Sequence, residues 1–191
     1  MCFYITATLP KNTILADFRN LFNKYNMAFS PLKNANVTSQ LRPEELYLQA
    51  TKDYCDCATI LGSYNQLKSY QKLLNSKKVK TLRKKKWTDE QIDEWIKEKL
   101  NKKEPSPHRN KLTPLEEELE LNRWLDLLHG LLDSKKVSRI GLLKHWYTGG
   151  LHDEEIRIER TEKAKISAIT SDFLLNLEED VLYEFFPSYK S

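Results

Sequence analysis

The chain has 191 residues, of which 40% are hydrophobic and 30% charged, a composition typical of a folded globular protein rather than a disordered one. Its net charge of +4 comes from 31 basic and 27 acidic residues and by itself indicates no partner. The few glycines form neither a dinucleotide-binding motif nor a phosphate-binding P-loop, which argues against a nucleotide site of either kind. No long apolar run and no secretory signal occur, which predicts a cytoplasmic protein without membrane association.

Seven segments of the chain carry the pattern of β-strands. In each, apolar and polar residues alternate, or a short apolar run stands between turn-forming residues. Pro10 is expected to end the first strand and Gly62 the third. The predicted strands are residues 2–9, 46–51, 54–61, 140–147, 156–158, 165–170 and 181–186.

Five segments carry apolar residues at the three- and four-residue spacing of an amphipathic helix. Two of them begin with a capping box, in which a threonine and a Glu or Gln three residues later satisfy free backbone N–H groups. Thr88 with Gln91 begins one of these helices, and Thr113 with Glu116 begins the other. The predicted helices are residues 14–25, 64–74, 89–100, 114–128 and 171–177.

These elements predict an α+β fold. Strands come from both ends of the chain, whereas residues 63–133 are mostly helical. Strands from distant parts of the sequence must pair to bury their apolar faces, so we expect one cooperative domain over residues 1–191. Its single sheet, mixed or antiparallel, is built from the N- and C-terminal segments, and residues 63–133 form a helical insert within it.

Three cysteines, Cys2, Cys55 and Cys57, are the chemically most distinctive residues. In a reducing compartment they are expected as free thiols or metal ligands rather than disulfides. On a strand, Cys55 and Cys57 would point to one face, where Cys2 on a neighbouring strand would complete a soft three-thiolate site. Such a site suits zinc, copper(I) or an iron–sulfur centre, with His145 or His152 as a fourth ligand. The alternative is structural, because buried cysteines also serve as small apolar side chains.

Cys2 also supports a catalytic hypothesis. A cysteine after Met1 permits removal of the methionine, which would leave the thiol and the α-amine on one residue. An α-amine with a pKa of roughly 7.7–8.0 can act as the base for its own nucleophile. Glutamine amidotransferases and other N-terminal-nucleophile enzymes use this device, and many begin with Met-Cys. The Arg-Gly and Asn-Gly motifs of the amidotransferases do not occur in this chain.

Two segments resemble a group of short uncharacterised bacterial proteins. Those proteins start Met-Cys-x-Tyr-Ile and carry a later Cys-Asp-Cys-Gly-Thr, whereas this chain starts Met-Cys-Phe-Tyr-Ile and reads Cys-Asp-Cys-Ala-Thr over residues 55–59. Ala58 therefore stands where the group has glycine. The resemblance covers the first third of the chain and implies no function.

A basic segment precedes the helix that Thr88 begins. It contains seven cations without an acidic residue: Lys77, Lys78, Lys80, Arg83, Lys84, Lys85 and Lys86. Such clusters bind phosphate backbones through counterion release, and Trp87 at the end of the segment is placed to stack on a base. Alternatively the segment is an ordinary solvated surface, Trp87 packs on Ile92 at the helix start, or the cations meet an acidic protein.

These features favour a cytoplasmic binding or regulatory protein with a thiolate site for a metal or for redox chemistry. A second hypothesis is an accessory or inhibitory protein that binds nucleic acid or an acidic protein through the basic insert. A third is a hydrolase or amidotransferase-like enzyme with Cys2 as nucleophile.

Overall fold

The computed structural model describes residues 2–51, 55–63, 73–101 and 112–188. Within them, six strands form a single sheet in the order β2-β3-β1-β4-β6-β5. The strands are β1 (Cys2–Pro10), β2 (Ser30–Pro31), β3 (Glu45–Gln49), β4 (Ile140–Tyr147), β5 (Arg160–Lys165) and β6 (Val181–Phe186). The β5–β6 pair is parallel, and the other pairs are antiparallel. The predicted α+β class with one mixed sheet, built from both ends of the chain, is confirmed.

Seven α-helices accompany the sheet in the described residues. They are α1 (Arg19–Tyr25), α2 (Ala35–Thr38), α3 (Ile60–Ser63), α4 (Lys77–Lys84), α5 (Asp89–Asn101), α6 (Pro114–Asp133) and α7 (Ser171–Leu175). Both predicted capping boxes are present. At the start of α5 the Thr88 and Gln91 side chains each accept the other residue's backbone N–H, and Thr113 and Glu116 do the same at α6.

The main core lies on the face of the sheet that carries the odd-numbered residues of β1. Ile5, Ala7 and Leu9 are fully buried there, as the alternation of the strand requires. Helix α6 covers this face, with Leu127 and Leu128 completely buried in the same cluster. The amphipathic stripe of α6 and the apolar side of β1 therefore bury each other.

A smaller core covers the opposite face. Tyr47, Leu143 and Tyr147 pack there against side chains from the loops over 32–41 and 151–158. Because both faces of β4 are covered, its sequence is almost continuously apolar. A third cluster, formed by α4 and α5, consists of Val79, Leu82, Ile92 and Ile96.

The third predicted strand, over 54–61, is wrong for the residues described. Residues 55–59 form a turn that leads into α3. The carboxylate of Asp56 accepts the backbone N–H of Ile5, and the Asp56 carbonyl accepts the N–H of Thr59. A short polar side chain that bonds nearby backbone in this way competes with strand pairing, and the alternation of the sequence does not reveal it.

Two other strand predictions are also wrong. Residues 156–158 are extended but belong to no strand, and β5 begins only at Arg160. Residues 166–168 form a 3₁₀ turn in the predicted strand over 165–170. Both segments contain isoleucines among polar residues, but Ile156 and Ile166 are buried in the two cores without belonging to a strand ladder. Most of the helix predicted over 64–74 lies outside the described residues.

In the described part of the chain, no helix combines the length and the apolar character that a membrane span requires. The organisation of the whole chain as one domain, with an insert over 63–133, stays a prediction. Helix α6 from that insert contributes to the main core, whereas α4 and α5 enclose a cluster of their own.

Replacement of Gly62 by alanine should destabilise the turn that carries two of the cysteines. A Cβ at this position would lie 1.8 Å from the Asp56 carbonyl oxygen, so the backbone must move. We expect Gly62→Ala to lower the free energy of unfolding by about 1–3 kcal/mol in a urea titration. Gly150→Ala is the matched control, because its nearest heavy atom is the Asp153 carboxylate oxygen at 3.6 Å. Equal stabilities of the two variants would contradict the prediction.

Candidate thiolate site

The candidate site forms where a turn docks on the free half of an edge of β1. Strand β3 pairs with residues 6–10 of β1, and residues 2–5 of β1 have no partner in β3. The turn over 55–59 takes its place, since Asp56 donates its backbone N–H to the Phe3 carbonyl at 2.8 Å. The Asp56 side chain accepts the Ile5 N–H at 2.7 Å. These bonds place Cys55 and Cys57 beside the first residue of β1, Cys2.

The three sulfur atoms lie within 4.8 Å of one another, and all three thiols are free. Cys57 is buried, whereas Cys2 and Cys55 are partly exposed. Sulfur atoms that share one tetrahedral ion at about 2.3 Å lie roughly 3.5–4 Å apart, so small side-chain rotations would bring the three to a common ion. The predicted convergence of the cysteines is therefore confirmed, although a turn rather than a strand positions two of them.

The surroundings of the sulfurs favour the protonated thiols in the absence of a metal. Burial, and to a smaller extent the nearby Cys55 and Cys2 sulfurs, raise the pKa of Cys57 to about 12. The Phe3 backbone N–H, which donates to the Cys57 sulfur at 3.2 Å, acts in the opposite direction. Burial and the Cys55 thiol also raise the pKa of Cys2. A metal ion must therefore displace protons from this site when it binds.

Two charged side chains, one from helix α6 and one from the sheet, hold the beginning of α3 directly after the turn. The Glu120 carboxylate on α6 accepts the backbone N–H of Ile60 at 2.7 Å. The ammonium group of Lys144 on β4, which is buried, donates to the Leu61 carbonyl at 2.5 Å. Neither residue was identified from the sequence as part of the site. The available signal was a lysine inside the apolar run of β4, where a charged side chain must have a specific partner.

The structure does not bring the predicted fourth ligand, His145, into the group of sulfurs. Among the described His, Cys, Asp and Glu ligand atoms, the group within 4.8 Å consists of the three cysteines. The Nδ1 of His145 contacts the Asp180 carboxylate at 2.5 Å, and its Nε2 lies 3.9 Å from Glu154. His152, the other candidate, is exposed and contacts the Lys33 carbonyl through its Nδ1 at 3.0 Å.

The use of Cys2 as a nucleophile stays a prediction. Catalytic cysteines are activated by a lowered thiol pKa, usually through a nearby cation or histidine. At Cys2, burial and the neighbouring Cys55 thiol shift the pKa upward instead. The Cys2 sulfur lies beside those of Cys55 and Cys57.

The predicted basic segment forms α4 and the turn that follows it. Its exposed side chains are those of Lys78, Lys80, Arg83, Lys84, Lys85 and Lys86. The side chain of Lys77 is not among those that the structure describes. Trp87, next to the turn, has 39% of its surface exposed. The helix turns Val79 and Leu82 toward α5 and its cations toward solvent.

No protein-family model, curated protein or solved structure matches the chain.

The buried thiol should react slowly with alkylating reagents in the metal-free protein. With its pKa raised to about 12, Cys57 carries a thiolate fraction at pH 8 that is lower than that of an ordinary cysteine by about three orders of magnitude. Iodoacetamide labelling, followed by mass spectrometry of the peptides, should show Cys57 as slow at pH 8 and accelerating through pH 10. A labelling rate that levels off below pH 9 would contradict this assignment.

Proposed function

We propose that this chain is a binding or regulatory protein that holds one thiophilic metal ion on Cys2, Cys55 and Cys57. The observation that carries the proposal is the convergence of three free thiols within 4.8 Å from two distant segments of the chain. Buried cysteines in a structural role need no such convergence, because each can pack separately against apolar neighbours.

The donor set determines the class of metal. Among the described residues no carboxylate or imidazole belongs to the group of three sulfurs, and three thiolates are soft ligands, which favour zinc or copper(I) over magnesium, calcium or manganese. The close approach of the sulfurs suits a single ion. An iron–sulfur cluster fits less well, because such clusters are held by four cysteine thiolates and the group contains three.

Three protein ligands leave one position of a tetrahedral zinc ion open. Closed structural zinc sites have four protein ligands, and sites with three bind water or another molecule at the fourth position. Cys2 and Cys55 are partly exposed, so an external ligand has access to the site from solvent. Copper(I) needs no fourth ligand if it adopts a three-coordinate arrangement. Either ion would link the beginning of β1 to the turn before α3.

Metal titration of the reduced protein tests the proposal. We expect one equivalent of zinc or copper(I) to bind, and cobalt(II) as a spectroscopic substitute for zinc should give intense sulfur-to-metal charge-transfer absorption. The double variant Cys55→Ser/Cys57→Ser removes two of the three sulfurs and should weaken binding at least about 100-fold. Calorimetry and absorption spectroscopy measure the stoichiometry and the affinity.

Ala58→Ser is the matched control for this titration. Ala58 lies exposed in the same turn, so the substitution adds a hydroxyl there without removing a sulfur. The control should bind metal as the natural sequence does. Binding that is weak in the natural sequence, or unchanged in the double cysteine variant, would refute the metal site. If mild oxidation then removes two thiols and lowers the intact mass by the mass of two hydrogens, the cysteines perform redox chemistry instead.

A further inference from the structure

The exposed cations of α4 and the following turn form what we call the basic face, made of Lys78, Lys80, Arg83, Lys84, Lys85 and Lys86. Val79 and Leu82 on the other side of the helix are buried against α5. The segment is therefore a folded helix with one apolar stripe, and its cations, together with Thr81, occupy the exposed remainder of the helix surface. The cations are thus carried by a helix and the turn after it and do not belong to a loose connector.

Two of the cations oppose the intrinsic electrostatics of the helix. The N-terminus of a helix carries partial positive charge, and acidic residues are favoured there. Helix α4 has no acidic residue in its first turn, which contains Lys78 and Lys80. Lys80 and Lys84 are also four residues apart, a spacing at which like charges repel. The cations at the other end, Arg83 and Lys84 in the last turn and Lys85 and Lys86 after it, are favourably placed relative to the helix dipole.

Acidic side chains offset little of this charge. Of the ion pairs within the described ranges, one involves the basic face, and it joins Arg83 to Asp89 at 3.2 Å. Both partners are exposed, so the pair is weak. Helix α5 differs, because its Lys97 pairs with Asp93 one turn away on the same helix. A surface selected only for solubility would intersperse both signs, as α5 does.

We propose that the basic face binds the phosphate backbone of nucleic acid without sequence selectivity. A dense array of cations is sufficient for this ligand, because each phosphate contact releases a condensed counterion. An acidic protein partner is less favoured, since protein interfaces need an apolar centre and, in the ranges that the structure describes, the basic face is bordered by one large exposed apolar residue, Trp87. The exposed acids of α5, among them Glu90 and Glu94, restrict the nucleic acid to the side of α4 away from that helix. The inference does not depend on the thiolate site.

The salt dependence of binding tests the inference. Fluorescently labelled oligonucleotides of mixed sequence, one single-stranded and one duplex, are titrated with the full chain between about 50 and 200 mM salt. Lys80→Gln/Lys84→Gln removes two cations from the solvent side of α4 and keeps good helix formers there. We expect weaker binding at low salt and a logarithmic salt slope that is smaller by about 1.4 for the single strand and 1.8 for the duplex.

Lys163→Gln/Lys165→Gln is the matched control, because both lysines are exposed on β5 and the loss of charge is the same. It should leave the salt slope unchanged, and circular dichroism should show that both variants are folded. Absence of binding at the lowest salt, or equal slopes for the two variants, would overturn the inference. Equal affinity for polyglutamate of the same length would also overturn it, in favour of an acidic protein partner.

Discussion

The antiparallel pairing of β1 with β4 is the interaction on which the other features depend. It joins residues 2–8 to residues 141–147, so the beginning of the chain becomes the centre of the sheet. The pairing places Ile5 on the face covered by α6 and Tyr4 on the face of the smaller core. Each of the two cores contains side chains from both strands, so both cores depend on this pairing.

The thiolate site results from the different lengths of β1 and β3. Because β3 is shorter than β1, the backbone groups of Phe3 and Ile5 need other partners, and the turn with Asp56 provides them. This docking brings two cysteines to a third. The carboxylate of Glu120 and the ammonium of Lys144 fix the beginning of α3, directly after the turn, through backbone atoms. Of the three sulfurs, that of Cys57 also accepts the backbone N–H of Phe3.

Buried charge elsewhere in the sheet is paired rather than available for chemistry. Glu184 on β6 is almost completely buried, and Arg42 contacts its carboxylate at 2.8 Å. Glu45 on β3 is also buried and lies between Arg42 and Arg139, at 3.2 Å and 2.8 Å. These ions join the loop before β3 to the centre of the sheet. Their burial would be costly without such partners, which marks them as structural. The thiols and the basic face, in contrast, are candidates for binding an external ion or polymer.

The sequence by itself determined the elements whose signals are local. Alternation and continuous apolar runs located β1, β4 and β6, and the capping boxes at Thr88 and Thr113 located the starts of α5 and α6. Only the tertiary structure decided how the turn over 55–59 forms, because the bond from Ile5 to Asp56 joins residues far apart in the chain. It likewise decided that His145 faces Asp180 rather than the sulfurs. A pattern of residue types records which face a side chain prefers, whereas the partners of an individual polar group are set by long-range packing.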